Sequence, residues 1–214
     1  EVMVKGYGDG KEIVRLHTGD PCLYGAIREQ MDELKKLEIP YEDCPGVSSF
    51  RGAAAALEAE YTLPGISQSV VITRMAGRTP VPEKESVRSF AAHQATMVLF
   101  LSTGLLKELS AELIEGGYNE DTPAAIVYKA TWPEQKVLRC TVGTLEQTAR
   151  EADVTKTALI VVGEVLDGTY ERSKLYDPTF TTEFRQASCS KKDSGQTGED
   201  QSTEMRQEAE EQNK

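Results

Sequence analysis

The sequence predicts an α/β protein, because strand-like and helix-like segments alternate along most of its 214 residues. Residues 13–18 alternate apolar and polar side chains and end at a Gly-Asp-Pro turn, as a strand does before a helix. Residues 41–44 form a similar short segment that ends at a Pro-Gly turn. Two apolar runs, at residues 97–101 and 158–162, have the length of buried strands.

The composition of the chain limits its possible functions. The chain is 39% hydrophobic, which is enough for a sizeable core. No run approaches the ~18 consecutive apolar residues of a membrane span. The net charge of -11 disfavours nucleic acid as the main partner. Two histidines and four scattered cysteines, with no Cys-x-x-Cys pair, disfavour a metal site and a disulfide framework, so we expect no metal and a cytoplasmic location.

Two strand–turn–helix units are predicted in the first part of the chain. Residues 23–37 follow the first turn and have helical periodicity, with apolar side chains every three or four residues. After the second turn, Ser48 and Ser49 can cap an alanine-rich helix at residues 50–59. The two units together predict a doubly wound parallel sheet.

The remaining elements follow from the same patterns. The predicted strands lie at residues 69–73, 96–101, 124–129, 135–141 and 158–162, and the predicted helices at residues 84–93, 103–115 and 144–152. The strands at residues 124–129 and 135–141 are expected to pair as an antiparallel hairpin. We therefore predict one domain at residues 1–64 and a second at residues 65–187. The polar tail that follows, at residues 188–214, is predicted to be disordered.

The first candidate site is the Gly-Asp-Pro turn. It places Thr18, Gly19 and Asp20 at the carboxyl end of a predicted strand, where ligands bind in open α/β sheets. Gly19 permits close backbone approach, and the helix start that follows offers free N–H groups. An ordinary turn with Asp20 as a cap explains the same pattern, and spacing alone favours that explanation.

The second candidate is the serine loop, which we define as residues 45–49 with the sequence Pro-Gly-Val-Ser-Ser. The hydroxyls of Ser48 and Ser49 and the free amides of this turn suit the carboxylate or ribose of a nucleoside cofactor. A simple helix cap also explains them. Two such turns on neighbouring strands are, however, what one shared cofactor cleft requires.

The other polar candidates are two arginines, two histidines and a cysteine. Arg74 and Arg78 belong to a segment with two prolines, which suits a stiff clamp for carboxylates, although surface arginines are usually only solvated. His17 and His93 fit structural roles. Cys22 follows the Gly-Asp-Pro turn but has no evident histidine partner in the sequence to activate it as a nucleophile.

Taken together, these segments resemble the tetrapyrrole methylase family. The run Leu-His-Thr-Gly-Asp-Pro at residues 16–21 resembles the Gly-Asp-Pro loop of that family, which we call the GDP loop after its one-letter sequence. Residues 45–50 resemble the second cofactor loop of the family. Three further segments resemble the branch of the family that methylates corrinoid precursors at C-11. These are Gly-Arg-Thr-Pro-Val-Pro-Glu at residues 77–83, Tyr-Lys-Ala-Thr-Trp-Pro at residues 128–133 and Gly-Glu-Val at residues 163–165.

The resemblance implies two α/β domains, the first incomplete, with S-adenosylmethionine in the cleft between them. It also implies a homodimer that acts on a tetrapyrrole in cobalamin biosynthesis, without nucleic acid or membrane partners. It identifies no catalytic residue, and it suggests Arg74 and Arg78 as ligands of the substrate carboxylates. The implied cofactor contacts are Thr18, Gly19, Asp20, Leu23, Ser48, Ser49, Leu101, Ala130, Ala158 and Leu159.

The chain departs from the family pattern in three places. Members of the family normally begin with a strand and a Gly-rich loop ahead of the GDP loop, and because neither is present we expect an N-terminally truncated form. Cys22 and Thr131 stand where the family has serine. The alternatives are a methylase acting on uroporphyrinogen or at another corrin position, a non-catalytic nucleotide-binding domain, and an inactive fragment that dimerises without binding a ligand.

Overall fold

The computed structural model describes residues 1–167, 170, 177 and 179–186. The chain divides into two compact units, Glu1–Arg172 and Ser173–Lys214. In the described part of the first unit, the helices are α1 (Val2–Gly8), α2 (Arg28–Lys36), α3 (Ser49–Leu57), α4 (Val87–Ala91), α5 (Leu106–Gly116) and α6 (Leu145–Glu151), and the strands are β1 (Val70–Arg74), β2 (Thr96–Phe100), β3 (Pro123–Tyr128), β4 (Lys136–Thr141) and β5 (Ala158–Val162).

The second unit is described only in short stretches. Thr182 and Arg185 pair there as an isolated antiparallel bridge. The Arg185 side chain also donates a hydrogen bond to the Asp177 carbonyl at 2.7 Å.

The strands form one mixed sheet in the order β1-β2-β5-β3-β4. The β1–β2 pair is parallel, and the other three pairs are antiparallel. Because β5 runs against both β2 and β3, its first residue lies beside their last residues, and Ala158 pairs with Tyr128. The ends of β1, β2 and β3 and the start of β5 therefore lie along one edge, marked by Arg74, Phe100, Tyr128 and Ala158, which we call the strand-end edge.

Both faces of the sheet are buried. Met97 and Leu99 of β2 pack in a cluster with residues of α4, α5 and α6. Val98, between them, packs in a second cluster with residues of α3. A sheet covered by helices on both sides needs apolar side chains on both faces, which explains why the central strands are continuous apolar runs in the sequence.

Two predicted strands are wrong. Residues 13–18 and 41–44 form no strand, so the doubly wound parallel sheet predicted for the first part of the chain does not form there. A strand needs a neighbour to take its backbone hydrogen bonds. Among the described residues, β1 at the border of the sheet pairs only with β2. Val14 and Leu16, which the alternation placed on a buried face, are 77% and 88% exposed.

The α/β class itself is confirmed, and so is the hairpin predicted from residues 124–129 and 135–141, which is β3 and β4. The helix predicted from residue 23 begins only at Arg28. A turn precedes it, and Ala26 has a φ of 50°, which an α-helix does not accommodate.

The domain boundary predicted between residues 64 and 65, and the cleft between the two domains, stay predictions. The tail predicted at residues 188–214 lies outside the described residues. Where the structure describes the chain, none of its helices is both long enough and apolar enough to cross a membrane.

Substituting Gly116→Ala is expected to destabilise the protein. The ideal Cβ position of Gly116, at the end of α5, lies 2.4 Å from the Ala91 Cβ and 2.5 Å from the Arg88 carbonyl oxygen of α4. Overpacking of this kind costs about 1–3 kcal/mol. The free energy of unfolding in urea measures it. Gly104→Ala is the control, because no atom lies within 4 Å of its ideal Cβ position. Equal stability of the two variants would contradict the close packing of α4 on α5.

Candidate functional site

The GDP loop and the serine loop touch each other. The ideal Cβ position of Gly46 lies 2.0 Å from the Gly19 carbonyl oxygen and 3.2 Å from the Asp20 Cα. Any side chain at position 46 would collide with that backbone, so glycine is needed for the approach. Gly19 has a φ of 71°, and the Ser48 Cα lies 3.7 Å from its ideal Cβ position. The two loops thus meet, although neither follows a strand.

Asp20 shapes the GDP loop. Its Oδ1 accepts a hydrogen bond from the Cys22 N–H at 2.9 Å, and its carbonyl accepts one from the Leu23 N–H at 3.3 Å. Asp20 therefore stabilises a turn with its side chain, but it caps no helix, because α2 begins only at Arg28. The Cys22 thiol donates to Asp43 Oδ2 at 3.1 Å, and this hydrogen bond raises the pKa of Cys22. A thiol held in its protonated form is a poor nucleophile.

The serine loop leads into α3. Ser48 is the N-cap residue and is buried, and its hydroxyl makes no capping hydrogen bond to the helix. The first amides of α3 are therefore not occupied by that side chain. Gly52 packs α3 against the segment after β3, because its ideal Cβ position lies 3.0 Å from the Thr131 Cγ2 and 3.5 Å from the Ala130 Cβ.

Tyr61 holds the first turn of α3, a role that the sequence patterns did not predict. Its hydroxyl donates to the Phe50 carbonyl at 2.7 Å, and the two rings stack with their centroids 6.3 Å apart. Burial raises the pKa of Tyr61 to about 12. An aromatic residue with a polar tip just after a predicted helix was the available signal, because a buried tyrosine hydroxyl usually takes a backbone partner.

Three of the proposed cofactor contacts lie at the strand-end edge. Leu101 follows β2 and is 73% exposed. Ala130 follows β3, and Ala158 begins β5, with its carbonyl accepting a hydrogen bond from Thr103 Oγ1 at 3.2 Å. Leu159 differs from them, because its side chain packs in the core cluster beside α3. These cofactor contacts stay predictions.

Backbone strain is present at the same edge, as it is at six other non-glycine positions of the described chain. Leu101, Lys129, Thr131 and Thr157 all have positive φ values, of 52°, 45°, 72° and 58°. Such conformations cost non-glycine residues roughly 1–3 kcal/mol each and tend to cluster at functional sites. The Lys129 N–H donates to the Thr157 carbonyl at 3.0 Å, which joins two of the strained residues.

The GDP loop also reaches the strand-end edge. The ring of Tyr24, just after the loop, lies with its centroid 5.4 Å from that of Phe100. The contacts of Gly46 with Gly19, of Gly52 with Ala130 and of Tyr24 with Phe100 therefore link both loops to one edge of the sheet.

Of the two predicted substrate ligands, Arg74 ends β1 at this edge and Arg78 lies in the loop after it. The Arg74 guanidinium donates hydrogen bonds to backbone carbonyls of the loop after it. Arg78 lies exposed within that loop. Their binding of carboxylates stays a prediction.

Two cavities lie elsewhere in the first unit. One, of about 450 Å³, is lined by α5 and α6 residues such as Lys107 and Arg150. The other, of about 290 Å³, lies beside Leu57 and Arg139. None of the proposed cofactor contacts lines either cavity. We therefore place the candidate site at the strand-end edge, where the GDP loop and the serine loop meet.

The chain belongs to the tetrapyrrole methylase family. The model of the family described as Tetrapyrrole (Corrin/Porphyrin) Methylases matches residues 1–146.

Two relatives and one solved structure are similar to this chain over most of its length. The chain is 52% identical over 188 residues to a cobalt-precorrin-4 C(11)-methyltransferase of Methanocaldococcus jannaschii, covering 87% of this chain and 73% of that protein. It is 45% identical over 159 residues to a precorrin-4 C(11)-methyltransferase of Mycobacterium tuberculosis, covering 74% of this chain and 63% of that protein. The solved structure of a cobalt precorrin-4 methyltransferase, a cobalamin biosynthetic enzyme, superposes with a TM-score of 0.76 at 48% identity, covering 78% of this chain and 70% of that one.

Substituting Tyr61→Phe is expected to reduce the loss of stability at alkaline pH. An unfolded tyrosine titrates near pH 10, whereas the pKa of folded Tyr61 is about 12, so its contribution is present below pH 10 and is lost as the pH rises to 12. Across this window the free energy of unfolding should fall roughly 2–3 kcal/mol further in the wild type than in the variant. Urea unfolding in steps of pH measures this. Burial also raises the pKa of Tyr118 to about 12. Because Tyr118 is present in both proteins, its titration lowers the stability of both equally. Equal falls would contradict the assignment.

Proposed function

We propose that this chain is an S-adenosylmethionine-dependent methyltransferase that methylates C-11 of a corrinoid precursor, cobalt-precorrin-4 or precorrin-4, in cobalamin biosynthesis. The observation that carries the proposal is the backbone contact between Gly46 and Gly19, which joins two cofactor-type loops at one place. The names of the two relatives support C-11 as the site of methylation. Identity is higher to the relative named for the cobalt-containing substrate, which favours cobalt-precorrin-4.

The residues present fit the cofactor. The backbone of Gly19 and Asp20, which follow Thr18, lies against the serine loop, whose Ser48 hydroxyl is not used to cap α3. We assign the polar part of the cofactor to these two loops, together with Ser49, because hydroxyls and free amides suit a carboxylate or a ribose. The apolar contacts we assign to Leu23, Leu101, Ala130, Ala158 and Leu159.

S-adenosylmethionine supplies a methyl group that its sulfonium already activates. The chain has to hold the acceptor carbon in line with that methyl and to keep water away. Such alignment is worth up to ~7–11 kcal/mol when the geometry is ideal. Bond formation by an electron-rich ring carbon needs no strong base, so positioning is the main task of the residues at the strand-end edge.

The substrate carries several carboxylates. Arg78 is exposed beside the strand-end edge, and its guanidinium can bind a carboxylate through two parallel hydrogen bonds. On the resemblance to the family alone, we also propose that the protein is a homodimer and that it is cytoplasmic.

The direct test is to incubate the protein with S-adenosylmethionine and cobalt-precorrin-4 and to locate the new methyl group by mass spectrometry and NMR. We expect one methyl group at C-11. A methyl group at another ring position would contradict the assignment to C-11. Equal binding of S-adenosylhomocysteine and ATP in calorimetry, without methyl transfer, would instead indicate a nucleotide-binding regulatory domain.

Substituting Gly46→Ala is expected to weaken the binding of S-adenosylhomocysteine at least about tenfold, which corresponds to roughly 1.4 kcal/mol. The added Cβ cannot coexist with the Gly19 carbonyl oxygen 2.0 Å away, so the two loops must separate. Isothermal titration calorimetry measures the affinity. Gly8→Ala is the matched control, because no atom lies within 4 Å of its ideal Cβ position. Unchanged affinity in Gly46→Ala would show that the two loops do not form a common site.

A further inference from the structure

The loop between β1 and α4 has little backbone support of its own. We call residues 75–80 the arginine loop. Within it, the described backbone hydrogen bonds include one from the Gly77 N–H to the Thr79 carbonyl at 3.3 Å. Residues 76–80 are all exposed, and Pro80 has no N–H to donate. The order of this loop must therefore come largely from outside its own backbone.

Arg74 supplies that support. Its Nη1 donates to the Met75 and Thr79 carbonyls at 3.1 Å each, and its Nη2 donates to the Pro80 carbonyl at 3.1 Å. Three of the five N–H groups of the guanidinium are thus directed at backbone oxygens. The rigid planar fork holds both ends of the arginine loop at once, which a lysine ammonium on a flexible chain does not reproduce.

Ser102 ties the start of the arginine loop to β2. The Met75 N–H donates to the Ser102 Oγ at 2.9 Å, and the Ser102 hydroxyl donates to the Phe100 carbonyl at 2.7 Å. Ser102 is fully buried, so this link is shielded from water. It lies next to Leu101, which we have assigned to the cofactor.

The charge of Arg74 also acts on Tyr24, in the segment that follows the GDP loop. The pKa of Tyr24 is raised by burial, and the nearby positive charge of Arg74 opposes that rise. The ring of Tyr24 in turn contacts Phe100. Arg74 is therefore close enough to Tyr24 to act on its charge, while its hydrogen bonds hold the arginine loop.

We propose that Arg74 is a positioning residue, which holds the arginine loop so that Arg78 is presented to the substrate at a fixed place beside the cofactor. This role replaces the direct binding of substrate by Arg74, and it rests on the proposed function only in naming what Arg78 binds. The hydrogen bonds from Arg74 to the loop do not depend on any ligand.

The test compares Arg74→Lys and Arg74→Gln with the wild type. The first readout is the rate at which trypsin cleaves the Arg78–Thr79 bond, followed by mass spectrometry, because a protease cuts an exposed loop only when the loop opens locally. We expect cleavage about tenfold faster in both variants. The second readout is the KM for the tetrapyrrole, which should rise in both variants, with kcat/KM falling roughly 10- to 100-fold. The affinity for S-adenosylhomocysteine should stay unchanged.

Arg139 offers a matched control. It also donates to two backbone carbonyls, those of Leu57 at 2.8 Å and of Leu166 at 3.4 Å, but it lies in β4 away from the strand-end edge. Arg139→Lys and Arg139→Gln should leave the cleavage after Arg78 and the KM unchanged. If Arg74→Gln does not fold, Arg74→Lys decides the question.

Two outcomes would overturn the proposal. The first is an unchanged rate of cleavage after Arg78 in Arg74→Lys. The second is a wild-type KM in Arg74→Lys with a raised KM in Arg74→Gln, because a direct charge contact with substrate would survive the lysine. Failure of the proposed function can be distinguished from failure of the positioning role. In that case the wild type transfers no methyl group, yet the Arg74 variants still open the loop, which supports the positioning role.

Discussion

The close approach of Gly46 to Gly19 is the constraint on which the candidate site depends. A glycine at position 46 lets one backbone lie against another where a Cβ would be 2.0 Å from a carbonyl oxygen. This contact brings together two segments that form no strand and therefore have no sheet to align them. Without it, the GDP loop and the serine loop would be two separate turns, and each turn by itself is ordinary.

The mixed sheet supplies the other half of the site. The antiparallel placement of β5 between β2 and β3 brings Ala158 to the edge where β2 and β3 end. The segments that follow those strands adopt left-handed conformations at Leu101, Lys129 and Thr131. A sheet buried on both faces is stable enough to support this local strain. The candidate site is thus one edge of the sheet with two loops packed onto it.

Several side chains of the first unit support backbone. Arg74 donates to three carbonyls, Ser102 connects the start of the arginine loop to β2, and Tyr61 holds the first turn of α3. Periodicity and motif spacing indicated Arg74 as a binding residue, and they indicated neither Ser102 nor Tyr61. These roles depend on which carbonyl lies within about 3 Å of a donor, and that distance is not visible in a linear pattern.

The sequence by itself determined the α/β class, the central strands, the β3–β4 hairpin and the two glycine-containing turns, because these depend on side-chain period and on residues near one another in the chain. Only the tertiary structure decided that residues 13–18 and 41–44 are not strands, since a strand requires a neighbour that local alternation cannot supply. It also decided that the two turns meet. That contact joins residues 27 positions apart through their backbones, and the chain between them, with α2 inside it, has to fold before the distance is set.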